Sequence, residues 1–346
     1  MTIGNLAVCK LREAGKYFFW ENLNMNQGTL HPFSLAFNSL LRCPRCRDEN
    51  IVIVGGEGVQ GVECNKCKTK FPIIDGIPVI LTTKHEEKQI KEDWFSHDKA
   101  AEHYNRIPLH HFWDAEGSPI AKYMNQGILT EKKETVEVGS GTGTIAKHML
   151  DKGSIKTKCI DIALRSVKHV KKLNLPVILA TNFNLPLKNN VFDNVISYGV
   201  IHHTPNPALC MKELSRILKS GGHLILVLFR KWSFYHLWFL VYAPIPRILR
   251  KILGRKLGDL FIYPYYLILF YIPFWLGLIF YQKRIGPPRL KDVWSTFNDQ
   301  FLSPHESYHT IKDVKQWAND NNLTIEDHFN FCRPGGGALG VLLRKI

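Results

Sequence analysis

Two C-x-x-C pairs, Cys43-Pro44-Arg45-Cys46 and Cys64-Asn65-Lys66-Cys67, stand seventeen residues apart. Two residues between cysteines allow a tight turn that aims both sulfurs at one ion, and this interval falls within the range of structural zinc sites. Four thiolates close a tetrahedron around Zn2+ with no open position. The chemistry expected of Cys43, Cys46, Cys64 and Cys67 is therefore structural, the metal replacing a core too small to form alone. A second constellation is Val136-Glu137-Val138-Gly139-Ser140-Gly141-Thr142-Gly143. Glycines at alternate positions let the chain turn sharply and let a ligand lie against bare backbone. A helix that follows aims its N-terminus into the same space. The spacing is G-x-G-x-G with the acid Glu137 two residues upstream, unlike the G-x-G-x-x-G of dinucleotide enzymes. The adjacent imidazoles of His202 and His203 titrate near neutral pH and are candidate general bases; the competing reading is that they orient a loop.

These residues need elements to hold them. Short apolar runs at Thr135–Val138, Thr157–Ile162, Val177–Ala180, Val191–Tyr198 and His223–Phe229 read as strands. Helix-like segments at 144–152, 167–173 and 208–218 alternate with them. Alternation of this kind predicts an α/β fold with a mostly parallel, doubly wound sheet and ligands at the carboxyl ends of its strands. Residues 41–83, punctuated by cysteine and glycine, predict a small β-rich zinc ribbon. Residues 84–130 read as a helical linker and lid, 131–346 as the main domain, and 331–343 as its final strand pair. Residues 1–40 carry no motif.

Across residues 131–230 the chain resembles the class I S-adenosylmethionine-dependent methyltransferases, which have a Rossmann-like sheet. The resemblance implies that Glu137, Gly139, Ser140, Gly141 and Gly143 serve the amino-acid end of S-adenosyl-L-methionine. It implies that Asp161, in Cys159-Ile160-Asp161-Ile162, binds the ribose hydroxyls. Asn184-Leu185-Pro186-Leu187 is similar to the family's "LPFPDNSFD" segment. The acid that often precedes it near the adenine is missing here, which leaves Asn182 for that contact. Tyr198-Gly199-Val200-Ile201-His202-His203 resembles the stretch bordering donor and substrate, and Leu218-Lys219-Ser220-Gly221-Gly222 resembles the turn before the fifth strand. Phe71-Pro72-Ile73-Ile74-Asp75-Gly76-Ile77-Pro78 resembles the ending of the small zinc-ribbon proteins that activate tRNA, rRNA and protein methyltransferases. Ser303-Pro304-His305 followed by His309-Thr310 resembles bacterial methyltransferases with a loop and then a helix before the closing strands, which leaves two readings of His305 and His309: facing the acceptor, or serving as loop and cap residues.

The 346 residues carry a formal net charge of +15, which favours acidic partners: nucleic acid or an anionic membrane face. No secretory signal is visible, so the expected location is cytoplasmic, with attachment to the inner face of the membrane as an extension. The apolar insertion 232–283 follows the fifth strand. Three readings of it compete: a monotopic lid making peripheral membrane contact, a soluble lid or dimer interface, and a spanning helix. The leading function is methyl transfer to a small lipophilic acceptor: a quinone-like ring, a lipid-linked sugar or a secondary metabolite. RNA methylation ranks below it because the basic residues are dispersed or flank apolar segments. A donor-binding pseudo-enzyme at a membrane is the non-enzymatic alternative.

Overall fold

The computed structural model describes residues 32–56, 59–81, 119–273, 275–276, 279, 287, 289–303, 305–330 and 337–346. After a 3-10 turn at Pro32–Leu40 come four short strands: β1 (Ile51–Gly56), β2 (Val59–Cys64), β3 (Lys70–Ile74) and β4 (Ile77–Pro78). They form an antiparallel sheet in chain order, the β-rich module expected around the cysteines. Helix α1 (Pro119–Asn125) is what the described residues show of the expected 84–130 linker, and residues 82–118 lie outside them.

The main domain follows as β5 (Thr135–Val138), α2 (Thr144–Gly153), β6 (Lys158–Asp161), α3 (Leu164–Lys172) and β7 (Val177–Leu179). It continues through β8 (Phe192–Tyr198), α4 (Pro207–Ile217) and β9 (Leu218–Phe229). After the insertion it closes with α8 (Ile311–Asp320), β10 (Leu323–Asn330) and β11 (Ala338–Lys345). The sheet order is β10-β11-β9-β8-β5-β6-β7, with β5 to β9 parallel and β11 and β10 antiparallel. One sequence expectation is corrected. The final strand pair is Leu323–Asn330 with Ala338–Lys345, not 331–343; residues 331–336 lie outside the described residues. Leu218 pairs with Phe192 and His223 with Asn194, so residues 219–222 bulge out between those two pairs, with Gly221 at φ 77°, ahead of the continuous pairing from His223 onward.

Strand alternation divides the core. Val136, Val195, Leu224 and Val341 point to the face covered by α4 and α8. Ile196, Ile225 and Leu342 point to the other, under α1 and α2. The cysteine module is not a bead on a string. Phe37, Leu41, Ile51 and Phe71 share the first core. The backbone of Ile80 donates to Leu179 at 2.9 Å and that of Arg42 to Pro186 at 3.0 Å, so the module caps the free edge of β7. An otherwise exposed edge strand is thereby paired.

The insertion contains α5 (Phe234–Tyr242), α6 (Pro244–Tyr266), a π-turn at Leu267–Tyr271 and α7 (Leu290–Phe301). Among the described residues no helix is long and apolar enough to cross a membrane, so the spanning reading finds no support in them. Pro264 and the π-turn interrupt the apolar run, and basic residues occupy the long helix α6.

Candidate active site

The sheet reverses direction of travel at β5, with β6 on one side and β8 on the other. Ligands of open α/β sheets bind at this switch point, beyond the carboxyl ends of the strands. The glycine loop leaves β5 there. Gly139, Gly141 and Gly143 have φ of 80°, 53° and 81°, a left-handed backbone that favours glycine. The backbone N–H groups of Gly139 and Ser140 both donate to the Ile160 carbonyl, at 2.7 and 3.0 Å, which pins the loop to β6. A Cβ on Gly139 would lie 2.3 Å from the Val200 side chain, so the loop and the end of β8 pack without room for one. Around Gly141 and Gly199 a Cβ would meet nothing within 4 Å. Both bare backbones face open space, as a cradle for a ligand requires.

Asp161 ends β6 and is 8% exposed. Its Oδ2 accepts from the Gly141 backbone N–H and its Oδ1 from that of Ala163, both at 2.8 Å. One carboxylate therefore shapes the glycine loop from below, and each oxygen has further acceptor capacity for hydroxyl protons. Glu137 is fully buried and accepts a hydrogen bond from the Ala146 backbone N–H in the first turn of α2. Burial, aided by the neighbouring Asp161 charge, pushes its carboxyl well above the usual range, and its Oε2 has no hydrogen-bond partner. Gly143 caps α2 without any side-chain hydrogen bond, so Glu137 supplies a cap from inside the fold. Ser140 is buried within the loop, Asn182 is half-buried just beyond β7, and Tyr198 closes β8 with its hydroxyl pushed up by burial.

His202 and His203 lie on a 3-10 turn, Ile201–His203, directly after Gly199 (φ 75°). The two rings lie 4.3 Å apart. His202 is 0% exposed and packs on the Phe229 ring at 3.9 Å. Its Nδ1 accepts from the Phe229 backbone N–H at 3.4 Å, and its carbonyl accepts from the Ser307 backbone N–H at 2.9 Å. These contacts hold His202 within the fold; His203 is the more open of the two. His309 packs on Trp317 and hydrogen-bonds to the Ser307 hydroxyl at 2.8 Å, and burial holds its imidazole below its ordinary value.

Sequence reasoning missed the aromatic layer packed against the histidines. Phe229, His236, Phe239 and Tyr308 form an aromatic layer: Tyr308 stacks on Phe229 at 5.5 Å and lies 4.4 Å from His236. Gly199 was quoted within a motif but not assigned; its place directly after a strand was the available signal. Ser307 had none, since it meets His202 across more than a hundred residues.

The four cysteine sulfurs lie within 4.8 Å of one another, with Cys43–Cys67 at 3.6 Å and Cys46–Cys64 at 3.5 Å. A tetrahedron with Zn–S bonds of about 2.3 Å has edges of about 3.8 Å, so the set fits a zinc ion closely.

Residues 136–226 match the family model described as a methyltransferase domain. The chain is 31% identical over 139 residues to an uncharacterised protein of Methanocaldococcus jannaschii, covering 40% of this chain and 62% of that protein. It is 29% identical over 93 residues to the demethylmenaquinone methyltransferase of Corynebacterium kroppenstedtii, 27% of this chain and 40% of the relative. It is 31% identical over 93 residues to the probable tRNA methyltransferase 9B of Bos taurus, 26% of this chain and 20% of the relative. The matched span is thus less than two thirds of the length of any of these three relatives. The match falls on this sheet and its glycine loop, so residues 136–226 are similar to a methyltransferase domain in both sequence and fold.

Proposed function

We propose that the protein transfers a methyl group from S-adenosyl-L-methionine to a small lipophilic acceptor. The observation that carries the donor half is the Asp161 carboxylate hydrogen-bonded to Gly141 across the mouth of the sheet. In this reading Gly139, Ser140, Gly141 and Gly143, held from below by Glu137, receive the amino-acid end. Asp161 binds the ribose, and Asn182 and Tyr198 border the base and the methyl group. The donor supplies an already activated sulfonium methyl group, so the chain's task is chiefly alignment of donor and acceptor and exclusion of water. In this reading His203 would take an acceptor proton, and His202 would hold the turn that presents it. The aromatic layer of Phe229, His236, Phe239 and Tyr308 supports a flat or apolar acceptor. The demethylmenaquinone relative is in keeping with that class. Cys43, Cys46, Cys64 and Cys67 would hold a structural zinc ion. Peripheral attachment at the inner face of a membrane belongs to the same reading, through residues 232–283.

The net charge of +15 and the relative named as a probable tRNA methyltransferase favour RNA as the second acceptor class. Calorimetry with S-adenosyl-L-methionine and its demethylated product tests the donor half. Asp161→Ala is expected to cost about 1.5–3 kcal/mol of binding, the worth of hydrogen bonds to a charged group. Absence of donor affinity in the folded wild type overturns the reading. Labelled donor incubated with lysate and separated into lipid, RNA and protein fractions decides the acceptor: label confined to RNA replaces the first class with the second.

A further inference from the structure

The insertion folds into a helical hairpin. Gly254 (φ 71°) breaks α6. The limbs return antiparallel: Arg250 pairs with Asp259 at 2.6 Å, and the Tyr265 hydroxyl donates to the Tyr242 carbonyl at 2.7 Å. One side of the hairpin is covered. Ala243, Ile262, Tyr266 and Phe270 pack on Val293, Phe297 and Phe301 of and beside α7.

The other side is apolar and bare. On the first limb Leu240, Val241, Ile245, Ile248 and Ile252 recur at helical spacing and are 50–73% exposed. On the second, Leu257, Leu260, Phe261, Ile268 and Ile272 do the same at 46–67%. Two adjacent stripes of this kind make one continuous patch, larger than a soluble monomer ordinarily leaves in water. Its charge says what covers it. From Lys231 to Arg284 the chain carries eight basic residues and one acid, Asp259, which is paired with Arg250. Lys251 and Lys256 are exposed on either side of the Gly254 turn. A twofold contact between copies would set this basic surface against itself, whereas a surface of lipid phosphates complements it.

We propose that the hairpin docks the protein on an anionic lipid bilayer. The two stripes enter the boundary between headgroups and acyl chains, and Lys251 and Lys256 sit on headgroup phosphates, without any helix crossing. Arg247 on the first limb donates to the Phe301 and Ser303 carbonyls and pairs with Glu306, and the adjoining Ser307 holds His202. Docking therefore fixes the acceptor side of the cleft at the bilayer surface. The functional sense of this rests on the lipophilic-acceptor reading; the docking itself does not.

Flotation of the full chain with vesicles tests it. Binding is expected to vesicles of phosphatidylcholine mixed with phosphatidylglycerol and to be roughly tenfold weaker with phosphatidylcholine alone. The double variant Ile252→Glu, Leu260→Glu is expected to lose binding, with melting temperature and donor affinity unchanged. Lys251→Glu with Lys256→Glu is expected to abolish the preference for anionic vesicles. Wild type that fails to float, or Glu variants that float as wild type does, overturns the proposal. So does a dimer seen by analytical ultracentrifugation that Ile252→Glu dissociates. Methyl label found only in RNA while the protein still floats would sink the acceptor reading and leave the docking standing.

Discussion

Glu137 shows how one residue couples the fold to the site. An isolated glutamate loses its proton near pH 4.3. In the fold, burial and the Asp161 charge hold the proton to a much higher pH. Between those two values the folded state binds more protons than the unfolded one, so this group's contribution to stability falls as pH rises through the window. Glu137→Gln keeps an acceptor for the Ala146 N–H and has no proton to lose. Thermal melts across pH should show the variant gaining on wild type from about pH 4 upward. A constant deficit at every pH would refute the argument.

At the scale of elements, the cysteine module and the segment after β7 hold each other. Glu213 accepts from the Leu185 backbone N–H at 2.9 Å, while Arg216 donates to the Leu185 and Leu187 carbonyls at 3.1 and 2.7 Å. From the module, Arg42 reaches Asn189 at 3.1 Å and the Pro44 carbonyl accepts from Asn184 at 3.4 Å. The segment carrying Asn182 is thus clamped between α4 and the cysteine module. Metal analysis is expected to return one zinc per chain. Its removal by a chelator should lower the melting temperature and weaken donor binding together, because the clamp on the segment carrying Asn182 loosens. A protein that binds donor equally well with and without zinc would show the module to be independent of the cleft.

At the scale of the molecule, a buried ion pair joins hairpin to cleft. The Glu306 side chain is fully buried and lies 3.2 Å from the Arg247 guanidinium, which is partly solvated. Arg247→Met removes this cation and is expected to cost about 2–3 kcal/mol, less than the roughly 3–5 kcal/mol of breaking a fully buried pair because the guanidinium is partly solvated. Adding Glu306→Gln should recover part of the loss, and denaturant melts of the single and double variants check it. Full additivity of the two substitutions would deny the coupling.

Much of this was legible in the chain. Each parallel strand and helix from 135 to 229 was announced by a short apolar run or an apolar period, because such signals are local. The G-x-G-x-G loop and the two C-x-x-C pairs were likewise visible, since their spacing is itself the geometry, whereas Asp161 was reached through the family resemblance. What only the tertiary structure decided depends on contacts between distant residues. Among these are the cysteine module pairing with β7, His202 turned inward onto Phe229, and the return of the chain through Ser307. The apolar insertion had one composition and three readings. Hydrophobicity records how much surface must leave water but not which neighbour removes it, and that choice was made by Gly254, the Arg250–Asp259 pair and the packing of α7.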